Sequence, residues 1–145
     1  MATRKKPVTT PLHLLQQLSH SLLEHLEQAC SQALVEAEQL LAKLEKQRSK
    51  VQDKLHKAVV RLEEAAAAGK ARAQTKARER IGELEELLDT LKQRQAQTRE
   101  YILHLKQDAE QSLHLAQGIG KVKAAVGELL QQREAGDAAA PAKPR

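Results

Sequence analysis

The sequence predicts an all-α protein, a long antiparallel helical hairpin or coiled coil turning near Gly69, and three observations lead there. Trp and Phe are absent and Tyr101 is the single aromatic residue in a chain of 145. A compact globule of that length normally buries several aromatic rings, so no thick core is expected. Ala, Leu, Glu, Gln, Lys and Arg dominate, the composition of long helices, and proline occurs only at positions 7, 11, 141 and 144. The stretches flanking Gly69, residues 11–68 and 70–127, are equal in length. At ~1.5 Å per residue each makes an arm of roughly 85 Å, and two such arms would cover each other's apolar stripes.

Residues 1–10 read as a disordered basic N-terminus, 11–133 as the helical coiled-coil domain and 134–145 as a disordered Ala/Pro/Lys tail. Thr10-Pro11 opens the first helix, with a hydroxyl at the N-cap and proline at the first helical position. Its apolar residues do not keep a heptad. The series 15, 18, 22, 26, 29, 33, 37, 40, 44, 48, 51, 55, 59, 62, 66 is apolar at every position but Arg48. That repeat, eleven residues over three turns, implies a straight or slightly right-handed supercoil. Beyond Gly69, positions 81, 84, 88, 91, 102, 105, 109, 116 and 119 follow a heptad, with Gln95 and Thr98 as a polar interruption of the seam. Gly118, Gly120 and Gly127 weaken this second helix by up to ~1 kcal/mol each, so fraying or bending is expected there.

Gly69 fits a helix C-cap in the left-handed conformation, with KARAQ opening the next helix. The alternative is a continuous helical rod in a dimer. The apolar stripe continues through the glycine as 70, 73, 77, 81, 84, 88, and a lone glycine costs a helix only ~1 kcal/mol. A shorter bundle is a third arrangement. The equal arms favour the hairpin.

Charge is segregated beneath the net +5. Residues 1–11 carry +3, 12–42 carry −4 with no Lys or Arg, 43–80 carry +7, 81–91 carry −4, 92–123 carry +3, and 124–145 are neutral. Such locality marks a patch rather than a diffuse solvating coat. Lys43, Lys46, Lys50, Lys54, Lys57 and Arg61 form one ridge at helical spacing, and Arg72, Lys76 and Arg80 repeat the pattern past the glycine. Like charges at this spacing destabilise an isolated helix, and a polyanion would relieve them. With one aromatic residue, base stacking is unavailable, so binding would be led by the phosphate backbone and non-specific. The competing reading pairs the ridge with the acidic stretch ELEELLD across a hairpin, Lys50 against Asp89, Lys54 against Glu85 and Lys57 against Glu83. The tip stays basic either way, with only Glu79 near Arg72, Lys76 and Arg80.

Other chemistry finds no footing. His20 and Glu24 share a face, but the six histidines match no compact zinc motif, so solvated or seam-flanking roles are expected and no metal. Cys30, the single cysteine, borders the stripe as a small buried or half-buried thiol and fits a reducing compartment. No phosphate-cradling glycine loop or nucleophile–base pair occurs, so no enzyme activity, cofactor or small-molecule substrate is expected. No secretory leader or membrane span is expected either, which points to the cytoplasm, with nucleoid association as a variant.

The stretches KKPVTTPLHLLQQLSHSLLEHLEQAC, LLAKLEKQR, DKLHKA, KARER, LDTLKQRQAQTREYI and SLHLAQGIGKVK, in that order over about residues 5–126, resemble the alginate regulatory protein AlgP family of pseudomonads. The resemblance implies a histone-like, DNA-binding regulator of transcription linked to alginate biosynthesis. The family's nucleic-acid-binding part is a long tail of Lys-Pro-Ala-Ala repeats, a pattern that residues 140–144 alone follow here.

Two functions follow as expectations. One is a histone-like regulator binding duplex DNA through its phosphate backbone, weakly and without sequence specificity, by way of Arg72, Lys76, Arg80, Arg61, Lys43 and Lys46. The other is a coiled-coil scaffold or phasin-like interaction protein that meets a partner helix or a second copy of itself, without direct nucleic-acid binding.

Overall fold

The computed structural model describes residues 10–139 as two helices, α1 (Pro11–Ala67) and α2 (Ala71–Ala139), which fold back on each other as a helical hairpin. The expected disorder at residues 1–9 and 140–145 lies outside the described residues, and α2 continues past the boundary expected at 133. The packing divides into two units, Ala33–Lys106 and Met1–Gln32 with Gln107–Arg145.

Thr10 starts α1 as its sequence suggests. Its Oγ1 accepts from the His13 backbone N–H at 3.4 Å, and His13 Nδ1 accepts from the Thr10 N–H at 3.4 Å. This is a reciprocal capping box with an imidazole where glutamate usually stands. The Thr10 hydroxyl also donates to that Nδ1 at 2.7 Å.

The reversal is made by one residue. Gly69 has φ +69°, and no other described residue has a positive φ. Its N–H donates to the Ala66 carbonyl at 3.2 Å, and the Lys70 N–H to the Ala65 carbonyl at 3.0 Å. These are the two bonds of a Schellman motif, which satisfies the last carbonyls of α1 and needs a residue free of a Cβ at its left-handed position. Gln74 ties the new helix to the old, donating from Nε2 to the Ala65 carbonyl at 3.3 Å.

Within Ala33–Lys106 the two helices bury a single seam. Leu44, Val51, Ala58, Leu84 and Leu91 form its core, with Leu55, Ile81 and Leu88 packed against it. On α2 the buried and half-buried residues advance strictly by three and four, through Ala77, Ile81, Leu84, Leu88, Leu91, Gln95, Thr98, Ile102 and Leu105, the heptad expected. The same steps continue within the other unit through Ala109, Ser112, Ala116, Ile119, Lys123, Val126 and Leu130. The expected fraying is absent: α2 is unbroken through its glycines. Gln16 covers Gly127, its Nε2 3.6 Å from where a Cβ would stand.

The eleven-residue period expected for α1 is corrected. Its buried and half-buried positions run 12, 16, 19, 23, 26, 30 in one unit and 33, 37, 41, 44, 48, 51, 55, 58, 62, 65 in the other, with His13, Leu34 and Gln47 half-buried beside them. Apart from two successive steps of four over 33, 37 and 41, both follow the heptad, which keeps them against the heptad seam of α2. Leu15, Leu18, Leu22, Ala29, Leu40, Val59 and Ala66, all on the expected stripe, face solvent.

Arg48 and Gln95, separate exceptions in the sequence, are one feature. Arg48 donates to Gln95 Oε1 at 2.9 Å across the seam, and Gln95 is only 3% exposed. The buried Thr98 hydroxyl donates to the Arg94 carbonyl at 2.8 Å. A satisfied polar layer adds little net stability but penalises registers that leave a member unpaired.

Two measurements of unfolding free energy check this description. Gly69→Ala should destabilise by about 1–2 kcal/mol, since alanine resists the left-handed region, whereas Gly82→Ala, in open space mid-helix, should stabilise by about 0.5–1 kcal/mol. Equal signs would contradict the turn. Arg48→Leu alone should cost about 1–3 kcal/mol by orphaning buried Gln95, and adding Gln95→Leu should restore stability to at least the original value. Additive losses would show that the pair is not coupled.

Candidate nucleic-acid interface

With the seam positions lettered a and d in the heptad, g and c project to one side of it and e and b to the other. In Ala33–Lys106 the ridge residues Lys43, Lys50 and Lys57 are at c, Lys54 and Arg61 are at g, and Lys46 lies on the outer face at f. All six are exposed. Glu85 and Asp89 of α2 are at e and b, on the opposite flank. This overturns the expected pairing: among the described residues no ion pair within 4.0 Å joins Lys50, Lys54 or Lys57 to Asp89, Glu85 or Glu83. Glu83 is on the basic side but meets Arg80 instead, at 3.4 Å. A cross-helix ion pair in this unit is Arg99–Glu45 at 3.8 Å, both at e and more than half exposed, a contact of little energetic weight.

Near the turn the basic flank becomes a groove. Arg61 and Ala68 from α1, Ala73, Lys76 and Arg80 from α2, and Lys70 between them line it, over a floor of Ala58, Ala65 and Ala77, with Glu64 the single acid. The alanines set the shape, because small side chains on facing helices leave a trough that long basic side chains rim. Arg72 sits in an adjoining groove with Thr75, Lys76 and Glu79. The fold therefore brings Arg61, Lys76 and Arg80 together, places Arg72 next to them through the shared Lys76, and leaves Lys43 and Lys46 outside both grooves. At ~1.5 Å per residue, Lys43 and Lys46 lie roughly 20–30 Å along α1 from Arg61.

Sequence alone does not single out Lys70, which reads there only as the start of the second helix. It is the N-cap of α2, its carbonyl accepting from the Gln74 N–H at 3.0 Å. Lysine supplies no acceptor to the first N–H groups there, and the first turn of α2 holds no acidic residue. Lys70 and Arg72 instead put positive charge at the positive end of the helix dipole. The arrangement is unfavourable for the free protein and favourable to a bound anion.

The histidines do not join this site. His20 Nε2 donates to Glu24 at 2.9 Å, and Lys123 Nζ donates to its Nδ1 at 2.9 Å, both contacts exposed and within the other unit. Cys30 is half-buried in that unit's seam. Among the described residues no helix is long and apolar enough to cross a membrane.

The profile of the AlgP helical domain matches residues 12–142. The chain belongs to that family. It is also 67% identical over 135 residues to the transcriptional regulatory protein AlgP of Pseudomonas aeruginosa, a match covering 93% of this chain and 38% of that protein. The chain thus spans well under half the length of this relative. No solved structure matches.

A substitution separates the cost of the basic N-cap from its use. Lys70→Asp should raise unfolding free energy by about 1 kcal/mol, since it supplies both a capping acceptor and a charge that suits the helix dipole. A drop in stability in chemical denaturation would show that Lys70 is already compensated within the fold.

Proposed function

We propose that this chain is a non-enzymatic, histone-like regulatory protein of the alginate-regulator type that meets duplex DNA through the phosphate backbone. One observation carries the reading: Arg61, Lys70, Lys76 and Arg80 gather in one groove beside a helix N-terminus whose N-cap, Lys70, offers no side-chain acceptor, against Glu64 in the groove and Glu83, which pairs with Arg80. Four exposed cations over an alanine floor suit a phosphate string. With Tyr101 far from the groove in sequence, base stacking contributes nothing, so contacts position the duplex without reading it. Arg72 adds to the groove through its neighbour Lys76, and Lys43 and Lys46 extend the basic surface along α1. The family relative's name, a transcriptional regulatory protein, agrees with this role. A soluble, cytoplasmic or nucleoid-associated setting and the absence of a cofactor belong to the same proposal.

The scaffold reading keeps support from the exposed leucines of α1 and α2, and it is compatible with a basic tip. Duplex binding discriminates. The full chain should bind random-sequence duplex with a dissociation constant of ~10⁻⁴ to 10⁻⁶ M near physiological salt, and affinity should fall linearly with log salt. Arg61→Ala/Lys76→Ala/Arg80→Ala should weaken binding to every sequence alike. It should also flatten the salt slope by about 0.9 for each phosphate no longer neutralised, roughly 2–3 in all. An unchanged slope in this exposed-site variant would remove the groove from the interface.

A further inference from the structure

The unit formed by Met1–Gln32 and Gln107–Arg145 buries the more polar of two available seams. Its half-buried and buried positions include Gln16, Ser19, Ser112 and Lys123. Meanwhile Leu15, Leu18 and Leu22 of α1 are 42%, 67% and 54% exposed, and Leu115, Val122 and Leu129 of α2 are 79%, 42% and 47% exposed. These six are not scattered. Each set falls at g and c, so each helix carries a second heptad seam one residue ahead of the first: 15, 18, 22, 25, 29 on α1 and 115, 118, 122, 125, 129 on α2.

The two second seams share one side of the pair. Gln16 meets Gly127, and His20 meets Lys123, which places the e positions of both helices on one flank and leaves the g and c positions of both on the other. Two-seamed helices are the pattern of bundles with more than two helices, where each helix has two neighbours. Side chains at these exposures offer on the order of 600 Å² of apolar surface, the upper end of the largest patch on an ordinary monomer. That is most of the ~800 Å² each partner contributes to a standard interface.

We infer that this face joins a second copy of the chain, giving an isologous four-helix interface. Shape favours a copy as the occupant: α1 presents Leu15, Leu18 and Leu22 followed by His25 and Ala29, while α2 alternates large and small as Leu115, Gly118, Val122, Ala125, Leu129. In a two-fold arrangement α1 of one copy packs on α2 of the other, and leucines enter the gaps over Gly118 and Ala125. Charge agrees. Residues 12–42 contain no Lys or Arg, and the outer-edge positions beside the face are Leu14, Ser21 and Gln28 on α1 and His114, Lys121 and Glu128 on α2. Two copies therefore meet without like-charge repulsion. A nucleic acid or an anionic bilayer would need cations that α1 lacks on this face.

Sedimentation equilibrium of the full chain, from dilute solution to on the order of 100 μM, covers micromolar self-association. The expected result is a concentration-dependent approach to twice the 16.1 kDa chain mass. Leu18→Glu/Val122→Glu should hold the mass at one chain with unchanged helical circular dichroism. Leu103→Glu, at an exposed leucine of the other unit, should dimerise like the original. A monomer throughout the range overturns the inference whatever the variants do. So does a dimer that Leu18→Glu/Val122→Glu leaves intact, or association that appears only when duplex or vesicles of anionic lipid are added.

Discussion

A single left-handed residue gives α1 a partner. With no Trp or Phe to build a core, each helix depends on a seam that only another helix can cover, and an isolated helix gains little from propensity alone. Gly69 reverses the chain by closing two hydrogen bonds onto Ala65 and Ala66, so the covering helix comes from the same molecule. In Ala33–Lys106 the register set at that turn decides which side chains meet. The heptad of α2 then selects from α1 the positions that match it, and everything else goes to a flank.

That sorting creates the basic side. Lys43, Lys50, Lys54, Lys57 and Arg61 lie at g and c, while the acids expected to neutralise them lie at e and b, apart from Glu83. A hairpin with the same composition but one helix rotated by a single position would have mixed the charges along both flanks. The groove near the turn is the same asymmetry in a narrower place. Its alanines, Ala58, Ala65, Ala68, Ala73 and Ala77, add little apolar burial and leave room between rims of lysine and arginine. Lys70 as N-cap and Arg72 in the first turn of α2 cost local stability, the kind of local conflict that points to a functional site.

Much of this is legible in the residues. Thr10-Pro11, the turn at Gly69, the heptad of α2 and the basic cluster near the tip each rest on short-range rules that the fold obeys. The period of α1 is not legible, for a definite physical reason. Its first forty residues carry leucines at g and c as well as at seam positions, so a count through Leu15, Leu18 and Leu22 scores as well as the heptad that is buried. Only the partner decides between them. For the same reason the sequence pairs the ridge with the wrong acids: distance along the arms follows from residue numbers, but the side of the seam does not. Arg48 and Gln95 stand as separate exceptions in the sequence because neither helix alone shows that they meet. Family membership, by contrast, is carried by contiguous sequence and is readable at once.

On the proposed function, the reversal at Gly69 assembles a phosphate-binding surface from residues of both helices. Backbone amide chemical-shift perturbation on adding a short random-sequence duplex at low salt tests it most directly. Changes should concentrate at residues around Arg61 and from Lys70 to Arg80, extend more weakly toward Lys46 and Lys43, and reverse on adding salt. Perturbations confined to the Leu15–Leu22 and Leu115–Leu129 face, or spread evenly over both helices, would contradict it.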